Sequence, residues 1–191
     1  SVVWLNTNSS LTYPAEFAAG ERVVILDGEG YFEVAGNPDR PFVIEAGTSK
    51  TTVLGTAFNI DMTRNNAVVL SVVEGKVQFS DVMDADFAIL IAGERATMDA
   101  DTRRIRKSVL KGSNALSWKT GMLTFRRTLL SEVVDDLEKH YDIAIDYDPA
   151  LSDVTVSFTL NRKSVEEAME ILENLAGVTV SGKEKSYNIT R

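Results

Sequence analysis

The sequence predicts a multi-domain chain. An all-β antiparallel sandwich or roll is expected over residues 1–113, and a small α+β domain of two βαβ-like units over residues 114–191. Three observations predict this. Apolar, β-branched runs recur at intervals of about 8–12 residues before residue 110, as in sandwiches and barrels. Turn residues separate those runs. After residue 113 the apolar period changes from that of a strand to that of a helix.

Residues 2–5 open the chain as a strand. Residues 22–27 and 31–34 read as strands on either side of Gly28-Glu29-Gly30, followed by 41–45, 51–54, 58–61, 68–72, 76–79, 87–91, 95–98 and 105–109. Gly47, Asn65-Asn66, Gly75 and Gly93 stand between runs as turn residues. Phe32, Phe42 and Phe58 are the expected core anchors. Beyond Gly112-Ser113-Asn114, the residues Leu130, Val133, Val134, Leu137 and Tyr141 form the stripe of an amphipathic helix. Ser164-Val165-Glu166-Glu167 is a capping box, in which hydroxyl and carboxylate each take a backbone amide at the helix start. Val165, Ala168, Leu172 and Leu175 make the second stripe, and Gly177 supplies the left-handed residue that ends it. Strands over 122–125, 143–147, 154–160, 178–181 and 186–190 complete the order β-α-β, β-α-β, β, with both helices on one side.

Composition excludes several functions. With 20 basic and 28 acidic residues the net charge is −8, opposite to what phosphate backbones or an anionic membrane surface attract. Each region nets −4, so charge does not separate them (11 basic and 15 acidic residues through Ser113, 9 and 13 after it). The absence of cysteine removes disulfides, thiolate catalysis and thiolate metal sites, and a single histidine, His140, removes multi-histidine metal centres. No apolar run approaches the roughly 18 residues of a membrane span, and no secretory leader is visible. The chain opens without Met, so it reads as a mature or excised fragment whose anchor or export signal lies upstream.

Motifs that suggest catalysis do not hold together. Gly177 to Lys183 has the spacing of a phosphate-binding loop, but Glu184 follows where Ser or Thr must hold magnesium. A hairpin turn at Gly182-Lys183 is the better reading. Asp81, Asp84 and Asp86 lack the glycine and terminal glutamate of a calcium loop and read as a solvated acidic turn. Asp27, Glu29, Tyr31 and Glu33 share a strand face if the pleat is unbroken, but Gly28 and Gly30 argue against that, so no carboxylate pair is assigned. His140 sits at a helix end, where the dipole favours it, and no Gly-x-Ser-x-Gly elbow accompanies it. Trp4 and Trp118 are read as core or seam aromatics. Arg103-Arg104 and Arg126-Arg127 are too short for nucleic-acid patches. No catalytic, cofactor-binding or metal-binding residue is assigned, and no enzymatic activity is expected.

A family resemblance is carried by several ordered motifs: Trp4-Leu5-Asn6, Ser9 to Pro14, Gly28 to Val34, Arg40 to Ile44, Val53-Leu54-Gly55-Thr56-Ala57-Phe58-Asn59-Ile60, and Val73-Glu74-Gly75-Lys76-Val77. Together they resemble the periplasmic region of FecR-like anti-sigma factors. Trp118, Gly121, Leu123 and Phe125 match the W-x-x-G-x-L-x-F start of the C-terminal domain of such proteins. Residues 129–141 and 164–177 are similar to the short N-terminal domain of secretins and TonB-dependent receptors.

The resemblance implies the periplasmic part of a single-pass inner-membrane protein. That part would receive a signal from the signalling domain of a TonB-dependent outer-membrane transducer. A cytoplasmic segment outside this sequence would hold an extracytoplasmic-function sigma factor, and the membrane would be met only through a helix outside it. The C-terminal domain is the expected receiver, because an open sheet has edge strands that can accept a partner's strand. Two candidate strands carry the expected contact residues: Val154, Val156 and Phe158 on one, Tyr187 and Ile189 on the other. A secreted carbohydrate-binding or carbohydrate-active β-domain is the alternative, and it would need an aromatic platform or a carboxylate pair in a cleft.

Overall fold

A computed structural model describes residues 1–63, 66–83, 86–110 and 114–191. Asn65, Asp84, Gly112 and Ser113, read above as turn, acidic-loop and linker positions, lie outside the described residues. The chain divides into two compact units, Ser1–Lys111 and Gly112–Arg191.

Unit 1 is built from twelve strands: β1 (Val2–Leu5), β2 (Ser10–Thr12), β3 (Arg22–Asp27), β4 (Glu29–Glu33), β5 (Phe42–Ala46), β6 (Ser49–Val53), β7 (Ala57–Asp61), β8 (Ala67–Glu74), β9 (Lys76–Asp81), β10 (Phe87–Ile91), β11 (Glu94–Asp99) and β12 (Ile105–Val109). They form two six-stranded sheets, ordered β1-β4-β7-β8-β11-β12 and β10-β9-β6-β5-β3-β2. Side chains alternate across each strand, so one face is apolar and the two apolar faces close on each other. Phe32, Phe58, Ile60 and Leu70 from one sheet meet Leu26, Ile44, Phe79 and Leu90 from the other. Phe32 and Phe58 are cross-strand partners with rings stacked at 5.3 Å.

The expectation of an antiparallel region needs one correction: β3 pairs β5 in parallel. Gly28, at φ 94°, turns the chain out of β3 into β4 of the opposite sheet. A second reversal returns it beside β3, and two reversals restore the original direction. A Cβ at Gly28 would lie 2.4 Å from the Ser9 hydroxyl, so only glycine fits. The three-residue β2 was too short for its pattern to stand out in the sequence.

Unit 2 begins with a 3-10 turn, Asn114–Leu116, and a single helical turn, α1 (Ser117–Thr120). There follow β13 (Met122–Leu129), α2 (Leu130–Tyr141), β14 (Ala144–Tyr147), a 3-10 turn Pro149–Leu151, β15 (Thr155–Asn161), α3 (Val165–Ala176), β16 (Thr179–Lys183) and β17 (Ser186–Thr190). The β-α-β, β-α-β, β order is as expected, but the pairing corrects the βαβ reading. β13 pairs antiparallel with β15, while β14, β17 and β16 form a separate sheet. The strands flanking each helix therefore lie in different sheets. β13 has eight residues and finds a long partner in the seven-residue β15, whereas β14 offers four. Across the long pair, Phe125 and Phe158 put their rings 4.8 Å apart.

Both helices bury a stripe in one core with Leu123, Phe125, Leu160 and Ile189. Leu130, Val133, Val134 and Leu137 do so from α2, and Ala168, Met169 and Leu172 from α3. Leu175, expected in the second stripe, is exposed; Ala176, four residues after Leu172, packs on the core instead. Ser164 and Glu167 form the expected capping box and Gly177 the left-handed terminus.

Candidate partner-binding surface

An end strand of a sheet carries backbone groups with nothing opposite them, and proteins commonly cover or blunt such edges. In unit 1 the edges of β10 and β12 are covered by side chains. Lys107 Nζ donates to the Ile89 carbonyl at 2.8 Å, and the Ile91 amide donates to the Glu94 carboxylate at 2.8 Å. Lys107 and Glu94 are themselves paired at 2.8 Å. The Lys107 ammonium and the Ile91 amide together hold the Glu94 carboxyl below the usual carboxylate range. From the facing rim, the Ile105 amide of β12 donates to Asp86 at 3.2 Å.

Unit 2 uses the same device on three edges. The Ile145 amide of β14 donates to Glu138 of α2 at 2.8 Å. The Val180 amide of β16 donates to Glu173 of α3 at 3.0 Å. Each glutamate stands seven residues before the amide it accepts, so the two helix-to-strand passages repeat one geometry. On β13, the Thr124 amide donates to the Asn114 side-chain oxygen at 2.8 Å.

The last bond fixes the direction of β15. Thr124 lies opposite Thr159, and its amide points away from β15. In an antiparallel pair such residues turn their backbone groups away from each other. Thr159, and by the period of two Ser157 and Thr155, therefore direct their amides and carbonyls outward. Those three amides have no partner among the described residues. β15 is an open edge with a buried inner face: Val156 and Leu160 are core, and Thr155, Ser157, Thr159 and Asn161 are exposed.

A bulge lies beside this edge. Between Phe125 and Thr128 the register with β15 shifts, and Arg126 and Arg127 are set opposite Ser157. The Arg127 amide donates to the Ser157 hydroxyl at 2.7 Å and the Arg126 amide to the Thr128 hydroxyl at 3.1 Å. Arg127 has φ 49°, a conformation costing a residue with a Cβ roughly 1 kcal/mol or more. Both arginine side chains are exposed, and neither guanidinium has a hydrogen-bond or ion-pair partner among the described residues.

Of the five residues expected to contact a partner, Val156 and Phe158 lie in β15, with Val156 buried and Phe158 half-buried against Phe125. Val154 precedes the strand, and its carbonyl accepts from the Leu130 amide. Tyr187 and Ile189 correct the expectation. β17 is the middle strand of its sheet, paired on both sides, and both side chains are buried. Chain-terminal position suggested an edge, whereas β16 folds back to cover one side of β17 and β14 the other. Burial raises the Tyr187 phenol above its usual value, with Glu166 adding to the effect.

The other singled-out residues do not assemble into a catalytic group. Glu29 is fully buried and accepts from Asn6 at 2.8 Å and Asn59 at 2.9 Å, while Glu33 is exposed and Asp27 belongs to another strand. Trp4 and Tyr31 put ring centroids 5.6 Å apart at 44°, with Tyr31 buried, which is not a flat platform for a sugar face. Asp86 serves the β12 edge, and Asp81 is buried. Among the described residues no group of three histidine or acidic side chains could hold a metal ion. Gly182 lies inside β16 rather than in a turn. The hairpin turns at Glu184-Lys185, since Lys183 pairs with Ser186. His140 is half-buried, and burial lowers its pKa. Trp118 is half-buried in α1. No helix among the described residues is long and apolar enough to cross a membrane.

Comparison with known proteins agrees along most of the chain. The family model described as FecR protein matches residues 1–78, and that described as FecR, C-terminal, matches residues 122–189. Two crystal structures of a "putative anti-sigma factor" from Parabacteroides distasonis are similar to it, with 26% identity over 99% of this chain and 89% of theirs. Their TM-scores are 0.74 and 0.73. No curated protein sequence matches the chain. Members of this family are membrane-anchored regulators rather than enzymes. With both matches in order and whole-length structural likeness, the chain belongs to the family of FecR-like anti-sigma factors.

Proposed function

We propose that this chain is the periplasmic, signal-receiving region of a transmembrane anti-sigma factor. It takes its input from the signalling domain of a TonB-dependent outer-membrane transducer. An extracytoplasmic-function sigma factor is regulated through a cytoplasmic segment and a membrane helix outside this sequence. The region acts by protein–protein contact and catalyses no reaction. Unit 2 is the receiver, in keeping with the resemblance of residues 129–141 and 164–177 to the short N-terminal domain of secretins and TonB-dependent receptors.

The observation that carries the placement is the open edge of β15 within the segment matched to the family's C-terminal domain. A partner strand laid along it would gain main-chain hydrogen bonds at Thr155, Ser157 and Thr159 without disturbing Val156 and Leu160 beneath. Titration of the full chain with periplasmic signalling domains of such transducers tests the reading. Binding that survives Ser157→Pro, in a variant shown by circular dichroism to be folded, places the contact elsewhere.

A further inference from the structure

We infer that the β15 edge takes an extended acidic segment of its protein partner, read by Arg126 and Arg127 across the outer face of the β13–β15 sheet. The inference rests on the proposed docking at β15 and adds the chemistry of what docks there.

The arginines stand on the same face as Thr124. Leu123 and Phe125 point into the core, so Thr124 and Arg126 point out, together with Ser157 and Thr159 across the pair. A strand added beyond β15 lies two spacings from β13, about 9.6 Å. Only the small hydroxyl side chains Thr155, Ser157 and Thr159 stand in that interval. An arginine reaching outward and a glutamate reaching back can meet over them, and a guanidinium grips a carboxylate through two parallel hydrogen bonds.

The local backbone supports a use for these side chains. The bulge sets two arginines opposite a single serine, with Arg127 in a conformation glycine adopts more cheaply and anchored by the Ser157 hydroxyl. Bulges of this kind commonly re-aim side chains at functional sites. Unit 2 carries many acidic side chains, yet these two cations have no internal anion among the described residues. Lys163, just before α3, is by contrast paired with Glu167 of that helix.

Two other occupants fit less well. Antiparallel pairing of β15 with a second copy brings four arginines to one continuous face, where they repel. Two arginines are also fewer than the four to eight basic residues of an anionic-lipid site.

The full 191-residue chain is titrated with two capped peptides, one alternating valine with glutamate and one alternating valine with lysine. The glutamate peptide is expected to bind, to slow hydrogen exchange at Ser157 and Thr159, and to weaken as salt rises. The double variant Arg126→Glu/Arg127→Glu is expected to lose about tenfold or more for it and to prefer the lysine peptide, a reversal that mere unfolding cannot produce. Equal binding of the glutamate peptide by parent and variant overturns the inference, as does absence of protection at Ser157 and Thr159. A transducer signalling domain that binds at β15 but ignores the reversal overturns it while sparing the proposed function. Peptide reversal without binding of any signalling domain supports it and sinks that function.

Discussion

The edges of unit 1 and the β15 edge of unit 2 solve opposite problems. At the rim of the sandwich, Glu94, Lys107 and Asp86 occupy outward backbone groups of β10 and β12. Without them, β10 would offer a strand edge flanked by exposed Phe87, Ile89 and Ile91, a ready template for association. In unit 2, Glu138, Glu173 and Asn114 do the same for β14, β16 and β13. β15 has a polar face, unpaired outward amides and two uncompensated arginines beside it. The difference teaches that this chain covers five of its sheet edges, β10, β12, β13, β14 and β16, with side chains, whereas β15 keeps its outward amides beside two exposed arginines, and that combination points to a partner.

The largest expected effect comes from breaking one side of the comparison outright. Phe58→Ala removes a fully buried ring stacked on Phe32 and should destabilise unit 1 by about 3–5 kcal/mol. Because its core is separate from that of unit 2, hydrogen exchange of α2, α3 and β15 should stay at parental rates. Faster exchange throughout β15 in this variant would show that the two cores melt as one.

Removing a covering side chain should give the next largest effect. Glu138→Ala and Glu173→Ala each leave a strand amide without its carboxylate and should cost about 1–3 kcal/mol of unit 2 stability. Both should also show concentration-dependent association by light scattering, since each creates a second open edge. A monomeric, equally stable Glu173→Ala would mean that the carboxylate covers nothing of consequence.

Ser164→Ala removes the capping hydroxyl of α3 and should lower the stability of unit 2 by about 1 kcal/mol, read by urea denaturation. Its effect should be confined to α3 and leave peptide binding at β15 intact.

The smallest effect sharpens the comparison by pH. His140 is half-buried and its pKa is lowered by that burial, so the folded state favours neutral imidazole. The unfolded chain binds the proton more readily. The stabilising contribution is therefore complete above the unfolded pKa, about 6.5, and declines as pH falls from there through the lowered folded value. Unit 2 should melt at slightly lower temperature near pH 5.5 than at pH 7.5, with the difference reduced in His140→Gln. An equal decline in both proteins assigns it to other groups.

Much of this was legible in the sequence because period and local signals agreed. The stripe from Leu130 to Tyr141 and the capping box at Ser164 each mark a helix that the structure contains. Residues 105–109 and 186–190 match their strands end to end. What was not legible was pairing. The parallel β3–β5 neighbours depend on a double sheet crossing that leaves no periodic trace. The core position of Tyr187 and Ile189 depends on β14 and β16 flanking β17, and proximity to the chain end pointed the other way. The bulge at Arg126-Arg127 went unread because a basic pair looks like any solvated surface; only its register against Ser157 gives it a place. The covering glutamates had a signal available: both stand seven residues before an apolar strand residue that packs on the core, at the end of similar helices.

The measurement that bears most directly on the account is hydrogen exchange of the full chain, free and saturated with a transducer signalling domain. The account predicts slowed exchange at Thr155, Ser157 and Thr159, with the amides of Ile91 and Ile105 unchanged. Protection along β10 or β12 with β15 unaltered would contradict it and move the receiver to unit 1.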